Sequence, residues 1–223
     1  VMILRKLLEH KPNPANSNLR DPAEGWSPLR WALFYKHQHV VRLLVEHGSN
    51  TNERNDDGWK PLAEAVKAND SDMTHYLIKN GSRLDEMDVR GYTPLLHSIK
   101  QRKSDIAWLL TVNGADVNLR SKNAPRAIDT AMENGDYSIA WLLCEHGVDL
   151  EATDDKGMTP LHRAARAKDL RRVSFFLDRG STIGTRDQYG FTPLHYAVLY
   201  GSEDLVHALA SRNSEQDLLD TPD

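Results

Sequence analysis

The 223-residue sequence predicts an all-α solenoid, a fold in which copies of one short repeat stack side by side. The stretch GMTPLHRAA at 157–165 returns 33 residues later as GFTPLHYAV at 190–198. Prolines and glycines follow the same 33-residue period along most of the chain. A period of about 20 to 50 residues is typical of solenoids, whose repeats bury their apolar faces only against each other.

The prolines predict where the first, inner helix of each repeat begins. They are Pro28, Pro61, Pro94, Pro160 and Pro193. Proline suits the first helical turn, because its missing N–H would have no intrahelical partner there. A preceding Ser or Thr, such as Ser27 or Thr159, is expected to cap the helix. Lys60 and Arg126 occupy this place in two repeats, so those helices are expected to begin more loosely.

A second glycine series predicts where the outer helix of each repeat ends. Its members are Gly48, Gly81, Gly114, Gly147 and Gly180. A glycine in the left-handed conformation satisfies the last carbonyls of a helix and turns the chain. Small residues recur on the inner helices and allow close packing: Ala32, Ala65, Ser98, Ala131, Ala164 and Ala197.

The fourth repeat departs from the pattern, because it has Ala124 for the glycine and Ala127 for the proline. We interpret this as repeat drift, which a solenoid tolerates. The alternative is an altered loop that forms a local pocket.

The periodicity gives the domain boundaries. Residues 1–24 are predicted to form the outer helix of a truncated repeat and an inserted loop, residues 25–213 form six repeats, and residues 214–223 form an acidic tail. Because the first helix begins in the middle of a repeat, we expect the chain to be part of a longer protein.

The run G-x-T-P-L-H-x-A-A, six times in register, together with GADVN at 114–118, resembles the ankyrin repeat over nearly the whole chain. The resemblance implies stacked helix-turn-helix units with β-turn fingers. It also implies a protein that binds other proteins and usually has no catalytic activity. The partner is not implied.

The composition argues against several other classes of protein. A net charge of −4 is unlike the basic excess of a nucleic-acid-binding module. No stretch approaches the ~20 apolar residues of a membrane span, and the N-terminus is unlike a signal peptide. The single cysteine, Cys144, is interpreted as a buried structural thiol. It favours a reducing compartment, so we expect a cytoplasmic or nuclear location.

The histidines do not form a recognisable catalytic or metal-binding pattern. His162 and His195 occupy the fourth place of T-P-L-H, where the resemblance implies hydrogen bonds to the turn backbone. His37 and His39 have no Cys, Asp or Glu at ligand spacing. We therefore predict no catalytic, cofactor-binding or metal-binding residues, and no enzymatic activity.

In the ankyrin architecture, the finger tips and the exposed sides of the inner helices line a concave groove, and the period identifies its residues. The predicted partner-binding residues are Trp26, Tyr35, Arg54, Trp59, Arg90, Tyr92, Lys100, Arg120, Lys122, Arg166, Tyr189, Phe191 and Tyr200. Aromatic and Arg side chains dominate binding energy at interfaces. The basic excess favours a peptide with acidic and apolar residues. The alternative is that the finger aromatics only pack against adjacent fingers.

Trp108 and Trp141 lie one period apart on two outer helices. They predict an apolar contact patch on the convex face. The alternative is that both fold onto neighbouring outer helices.

The sequence thus predicts a protein–protein interaction module with an aromatic and basic groove. The alternative is a regulatory or autoinhibitory segment of a larger multidomain enzyme or receptor, whose ligand is another part of the same chain. Direct catalysis by the repeats is the least favoured reading.

Overall fold

The computed structural model describes residues 17–22, 25–54, 58–122 and 124–219, with side chains as far as Arg212. Twelve α-helices in six pairs make up the secondary structure of this part of the chain, and it contains no strand. The all-α repeat solenoid is therefore confirmed. Of the truncated repeat and inserted loop predicted at residues 1–24, residues 1–16, 23 and 24 lie outside the described residues.

The chain divides into two compact units, residues 1–146 and 147–223. The first contains four helix pairs: α1 (Pro28–Phe34) with α2 (Gln38–Glu46), α3 (Pro61–Lys67) with α4 (Ser71–Lys79), α5 (Pro94–Lys100) with α6 (Ser104–Val112), and α7 (Ala127–Asn134) with α8 (Tyr137–Glu145). Each inner helix of this unit packs against its own outer helix, and the inner helices pack in series, α1 on α3, α3 on α5 and α5 on α7. Among the outer helices, α6 packs against both α4 and α8.

The second unit contains two pairs: α9 (Pro160–Arg166) with α10 (Leu170–Asp178), and α11 (Pro193–Leu199) with α12 (Glu203–Leu219). The inner helices α9 and α11 pack together, as do the outer helices α10 and α12. Helix α12 is 17 residues long and continues to Leu219, into the segment predicted to be an acidic tail. Residues 220–223 of that segment lie outside the described residues.

The helix starts follow the predicted capping pattern. Ser27 Oγ accepts a hydrogen bond from the Arg30 amide at 3.3 Å, and Thr93 Oγ1 accepts one from the Leu96 amide at 3.1 Å. Neither Lys60 nor Arg126 caps its helix with its side chain. The hydroxyls of Ser27 and Thr93 thus each satisfy one backbone amide that has no partner within its helix.

His162 has the structural role that its place in T-P-L-H implies. Its Nδ1 accepts a hydrogen bond from the Thr159 amide at 3.2 Å, and its Nε2 donates one to the Phe191 carbonyl at 3.0 Å. The side chain is fully buried, and this burial lowers its pKa. His162 therefore connects two successive fingers as a neutral ring.

A sharp turn joins the inner helix of each repeat to its outer helix. One residue of every turn has a positive φ, between 56° and 72°: Lys36, Asn69, Arg102, Gly135, Lys168 and Gly201. For a residue with a Cβ this conformation costs about 1 to 2 kcal/mol. Four of the six repeats carry that cost, which the packing of the two helices must offset.

Neighbouring fingers are connected by hydrogen bonds from backbone amides to side-chain oxygens. The Asn50 amide donates to Asn18 Oδ1 at 2.7 Å, and the Arg83 amide donates to Asn52 Oδ1 at 2.8 Å. In the second unit, the Thr182 amide donates to Glu151 Oε1 at 2.8 Å. Partners in these bonds are 31 or 32 residues apart, so each finger is positioned by the finger next to it.

Candidate functional site

A buried aspartate organises the third finger of the first unit. Asp88 Oδ1 accepts hydrogen bonds from the amides of Arg90 and Tyr92, each at 2.9 Å. Its other oxygen, Oδ2, lies 3.0 Å from His97 Nε2. The side chain of Asp88 is 2% exposed and that of His97 is 12% exposed. Asp88 therefore fixes both the finger backbone and the orientation of the imidazole on α5.

The charge states of this pair follow from its surroundings. Burial alone would raise the pKa of Asp88, but the hydrogen bonds from the Tyr92 amide, His97 and the Arg90 amide outweigh it and lower the pKa. Burial lowers the pKa of His97 and outweighs the opposing effect of Asp88. Asp88 is thus ionised at neutral pH, and a neutral His97 donates from Nε2.

Two aromatic rings pack against His97. The centroid of Trp59 lies 4.6 Å from that of His97, and the centroid of Tyr92 lies 5.2 Å from it. Each ring also has a lysine near its face: Lys67 Nζ is 5.1 Å from the Trp59 centroid, and Lys100 Nζ is 4.6 Å from the Tyr92 centroid. Lys100 also donates a hydrogen bond to Tyr92 Oη at 3.1 Å. Two adjacent repeats thus present the same aromatic and lysine pair.

The first repeat carries a larger aromatic cluster. The Trp26 ring lies 4.5 Å from Trp31 and 5.3 Å from Phe34, between ring centroids. The Arg30 guanidinium lies 3.8 Å from the Trp26 centroid, at cation–π distance. Trp31 Nε1 donates a hydrogen bond to Asp21 Oδ2 at 2.9 Å, which orients the Trp31 ring. Phe34 is 61% exposed.

A cavity of about 380 Å³ opens between the first two inner helices of this unit. It is lined by Trp26, Arg30, Leu33, Phe34, Lys36, Trp59, Glu64, Lys67 and Ala68. Its volume lies within the range of about 300 to 1,000 Å³ that is usual for ligand sites. The lining contains three aromatic rings, three cations and one carboxylate. We use the name tryptophan groove for this cavity together with Tyr92, His97 and Lys100.

The predicted partner-binding residues of the first unit divide between the groove and its rim. Trp26, Trp59, Tyr92 and Lys100 belong to the tryptophan groove. Tyr35 is 58% exposed and stacks on Trp31 with the ring centroids 5.8 Å apart. The cations Arg90 and Lys122 are exposed on the fingers. Arg120 donates to the Ala124 carbonyl at 3.4 Å, so it supports its own finger.

Arg54 is part of an ion cluster on the fingers. Glu86 accepts contacts from Lys60 at 2.6 Å, from Arg54 at 2.9 Å and from Arg83 at 3.2 Å. Hydrogen bonding from Lys60 is the largest cause that lowers the pKa of Glu86, to about 2. The cluster contains three cations and one carboxylate, so its own net charge is positive.

The second unit has its own aromatic surface. Phe191 stacks on His195 with centroids 5.7 Å apart, and Tyr200 stacks on Tyr196 at 6.4 Å. Tyr189 is 66% exposed. The predicted Arg166 is exposed, and its Nη1 lies 3.7 Å from Met158 Sδ. The structure thus brings Phe191 and Tyr200 onto one aromatic framework around the buried ring of Tyr196.

Trp108 and Trp141 lie on the neighbouring outer helices α6 and α8. Trp108 is 54% exposed and Trp141 is 48% exposed. Cys144, interpreted as a buried structural thiol, is only half-buried on α8. The reason is its position at the side of the helix, between the buried Leu143 and the exposed Glu145.

A family model for ankyrin repeats, in three copies, matches residues 2–88, 48–121 and 128–220. The chain belongs to the ankyrin repeat family. A crystal structure of the human ASB11 ankyrin repeat domain is 23% identical in sequence, with a TM-score of 0.63, and the match covers 84% of each chain. That likeness supports the fold. No curated relative matches the chain.

Ankyrin repeats generally bind protein partners and typically act as interaction modules without catalysis. Among the described residues, no group of three or more His, Cys, Asp or Glu side chains is arranged to hold a metal ion. Within the same residues, no helix is both long and apolar enough to cross a membrane.

Sequence reasoning missed several residues of the tryptophan groove, among them Arg30, Glu64 and His97. It also missed Trp31, which packs against Trp26. Two signals were available. Arg30 and Phe34 are four residues apart, which puts them on one face of α1, and Trp26 stands four residues before Arg30. Trp31, Glu64 and His97 share one place in the 33-residue period, directly after the histidine of T-P-L-H. At that place, Trp31 contacts the finger aspartate Asp21, as His97 contacts Asp88.

The Glu86 ion cluster leads to a pH-dependent prediction. We expect Glu86→Gln to lower the free energy of unfolding at neutral pH by about 1 to 2 kcal/mol, after allowance for solvent screening. Because the folded pKa is depressed, this stabilisation is present above the unfolded pKa of ~4.3 and is lost as the pH falls through about 2. Urea titrations of both proteins between neutral and acidic pH measure it. If the stability difference between the wild type and Glu86→Gln became larger as the pH fell, the stabilising role of ionised Glu86 would be contradicted.

Proposed function

We propose that this ankyrin domain is a protein-interaction module and that the tryptophan groove is its main binding surface. The observation that carries the proposal is the cavity of about 380 Å³ between α1 and α3, with Trp26, Phe34 and Trp59 in its lining. Partly buried tryptophans in a preformed concave site are the side chains that contribute most to binding energy.

Preorganisation supports this choice of surface. Trp59 and Tyr92 pack against His97, which Asp88 holds by a hydrogen bond. Trp26 is fixed between Arg30 and Trp31. Since these rings are already ordered, the protein loses less conformational entropy when a ligand binds than it would if the side chains were mobile.

The charge of the groove favours an acidic and apolar partner. Arg30, Lys36 and Lys67 line the cavity with a single carboxylate, Glu64. Carboxylates on a partner would be attracted to this surface, which raises the association rate and selects against basic sequences. Apolar side chains of the partner would contact the indole rings and supply most of the affinity.

The second unit offers a further contact surface in this proposal. Phe191 and Tyr200 are partly exposed on an ordered framework, and Tyr189 and Arg166 are exposed beside them in the same two repeats. Arg54, Arg90, Arg120 and Lys122 would contribute long-range attraction from the fingers of the first unit. Trp108 and Trp141 form the competing convex surface.

The proposed module consists of six repeats over residues 25–213, with a half repeat and loop before them and an acidic tail after them. Binding of this kind needs no catalytic residue, metal or cofactor. We place the protein in the cytoplasm or nucleus, because its single cysteine suits a reducing compartment.

Selection from a phage-displayed library of random 12-residue peptides tests the proposal on the full 223-residue chain. Peptides selected by the wild type are then measured on Trp59→Ala and on Trp108→Ala, a matched change to the exposed tryptophan of α6. We expect Trp59→Ala to weaken binding by about tenfold or more, because it removes a central aromatic anchor. Trp108→Ala should bind as the wild type does.

Circular dichroism spectra of both variants provide the folding control. If selected peptides bind Trp59→Ala normally, or lose affinity only on Trp108→Ala, the groove is not the binding surface. The second result would assign binding to the convex face.

A further inference from the structure

The tryptophan groove changes its chemistry from repeat to repeat at one place in the period. The last residue of the inner helix is Phe34 in α1, Lys67 in α3 and Lys100 in α5, each 33 residues after the one before. In α7 the same place is Glu133, which is exposed. All four helices belong to the first unit. Along the groove, the order is therefore apolar, positive, positive, negative.

Hydrogen bonds between repeats show that these helix ends are neighbours. Lys103, just after α5, donates from Nζ to the Val66 and Lys67 carbonyls of α3 at 2.9 and 2.8 Å. Asn134, the last residue of α7, donates from Nδ2 to the Ile99 carbonyl of α5 at 2.6 Å. Since packed helices lie about 8 to 10 Å apart, each step of the series is about 10 Å long.

Both lysines are exposed and oriented. Lys67 lies over Trp59, and Lys100 lies over Tyr92 and donates to its hydroxyl. An ammonium group held in this way over an aromatic ring has lost part of its conformational freedom before binding. Each lysine is therefore ready to pair with a carboxylate that approaches from the groove.

The spacing selects a peptide conformation. In a polyproline II helix, residues three apart lie on the same face and about 9 Å apart, because there are three residues per turn and a rise of about 3.1 Å each. One repeat of the groove therefore corresponds to three residues of such a peptide. Aromatic-lined grooves recognise this conformation because it is already extended and loses little entropy on binding.

We propose that the tryptophan groove recognises an extended acidic peptide in which an apolar residue enters the cavity beside Phe34 and acidic residues three and six positions away pair with Lys67 and Lys100. This inference rests on the proposed function, since it assigns the partner chemistry of the same groove. Glu133 limits the series, because it repels an acidic residue at the ninth position. The partner is thus a short segment with one apolar end and two regularly spaced carboxylates.

Synthetic fluorescein-labelled peptides test this register on the full chain by fluorescence anisotropy. The probe has Leu followed by Glu at the third and sixth positions after it in a Pro and Ala background, and it is made in both chain directions. The matched peptide has the same composition, with the two Glu directly after Leu. We expect at least one direction of the probe to bind about tenfold more tightly than its matched peptide.

A charge exchange gives a readout that a purely structural role for Lys100 would not change. Lys100→Glu should weaken the probe about tenfold and should favour the peptide with Lys in place of the second Glu. Lys79→Glu, an exposed change on the outer helix α4, should leave both affinities unchanged. The register is wrong if the peptide with Lys in place of the second Glu binds Lys100→Glu no more tightly than it binds the wild type. It is also wrong if the probe and its matched peptide bind the wild type with equal affinity.

The selected library peptides separate this register from the function on which it rests. Peptides that depend on Trp59 but lack the acidic spacing would overturn the register and leave the groove as the binding surface. If no selected peptide depends on Trp59, the proposed function fails as well.

Discussion

Replacing Asp88 by alanine is expected to lower the free energy of unfolding by about 2 to 4 kcal/mol, because three partly buried donors lose their acceptor at once. These donors are the amides of Arg90 and Tyr92 and Nε2 of His97. The side chain of Asp88 is 2% exposed, so water replaces it poorly. Urea titration followed by circular dichroism measures the loss at neutral pH.

Asp88→Asn is the matched control. Its amide oxygen can still accept from both backbone amides, while the negative charge is lost, so we expect about half of the effect of alanine. In the alanine variant, the fluorescence of Trp59 should also change, since the His97 ring beneath it is no longer held. Equal stability of the alanine variant and the wild type would show that Asp88 does not organise this finger.

The difference in unfolding free energy between the wild type and Asp88→Ala depends on pH with a definite sign. The folded pKa of Asp88 is depressed, so its contribution is fully present above the unfolded pKa of ~3.9 and is lost as the pH falls through the folded value. The folded pKa of His97 is also depressed. Below ~6.5 the unfolded chain therefore binds a proton at His97 more readily than the folded one, and acid destabilises the wild type through this group as well.

Replacing Gly157 by alanine is expected to cost about 2 to 4 kcal/mol, through strain and a backbone clash together. Gly157 has a φ of +74°, and an added Cβ would lie 2.9 Å from the Gln188 amide nitrogen and 3.3 Å from the Asp187 backbone. The Gln188 amide donates to the Lys156 carbonyl at 3.0 Å in this contact. Two successive fingers of the second unit would have to separate to admit the methyl group.

Gly180→Ala separates the effect of backbone strain from the effect of the backbone clash. Gly180 has a φ of +79°, but nothing lies within 4 Å of the Cβ it would acquire. We expect this variant to be destabilised by only about 1 kcal/mol, the cost of placing a residue with a Cβ in the left-handed conformation. Thermal and urea unfolding of both variants give the comparison. Equal losses at the two positions would mean that the fingers adjust without cost and that the close approach is unimportant.

Much of the fold follows from the sequence because the period repeats the same local signals. Each inner helix begins at Pro28 or its equivalents, and the Ser and Thr caps lie where the pattern puts them. The same period identified Trp26, Trp59, Tyr92 and Lys100 as groove residues, since residues 33 apart occupy equivalent places in stacked repeats.

Other features depend on contacts that the period does not encode. The left-handed turns at Lys36, Arg102 and Lys168 carry no glycine, so no local signal marks them. The position of His97 between Trp59 and Tyr92 depends on its hydrogen bond to Asp88, nine residues away in the chain. The size of the cavity between α1 and α3 depends on the rotamers of large side chains in two repeats, which spacing alone does not determine.

The hydrogen bonds that connect neighbouring fingers also bear on how the protein forms during synthesis. Their partners, such as Asn18 with Asn50 and Asn52 with Arg83, are only 31 or 32 residues apart. Chains rich in such short-range contacts have a low contact order and fold quickly, because little loop entropy is lost before each contact forms. As the ribosome releases one repeat after another, each can close onto its predecessor while the rest of the chain has still to be made.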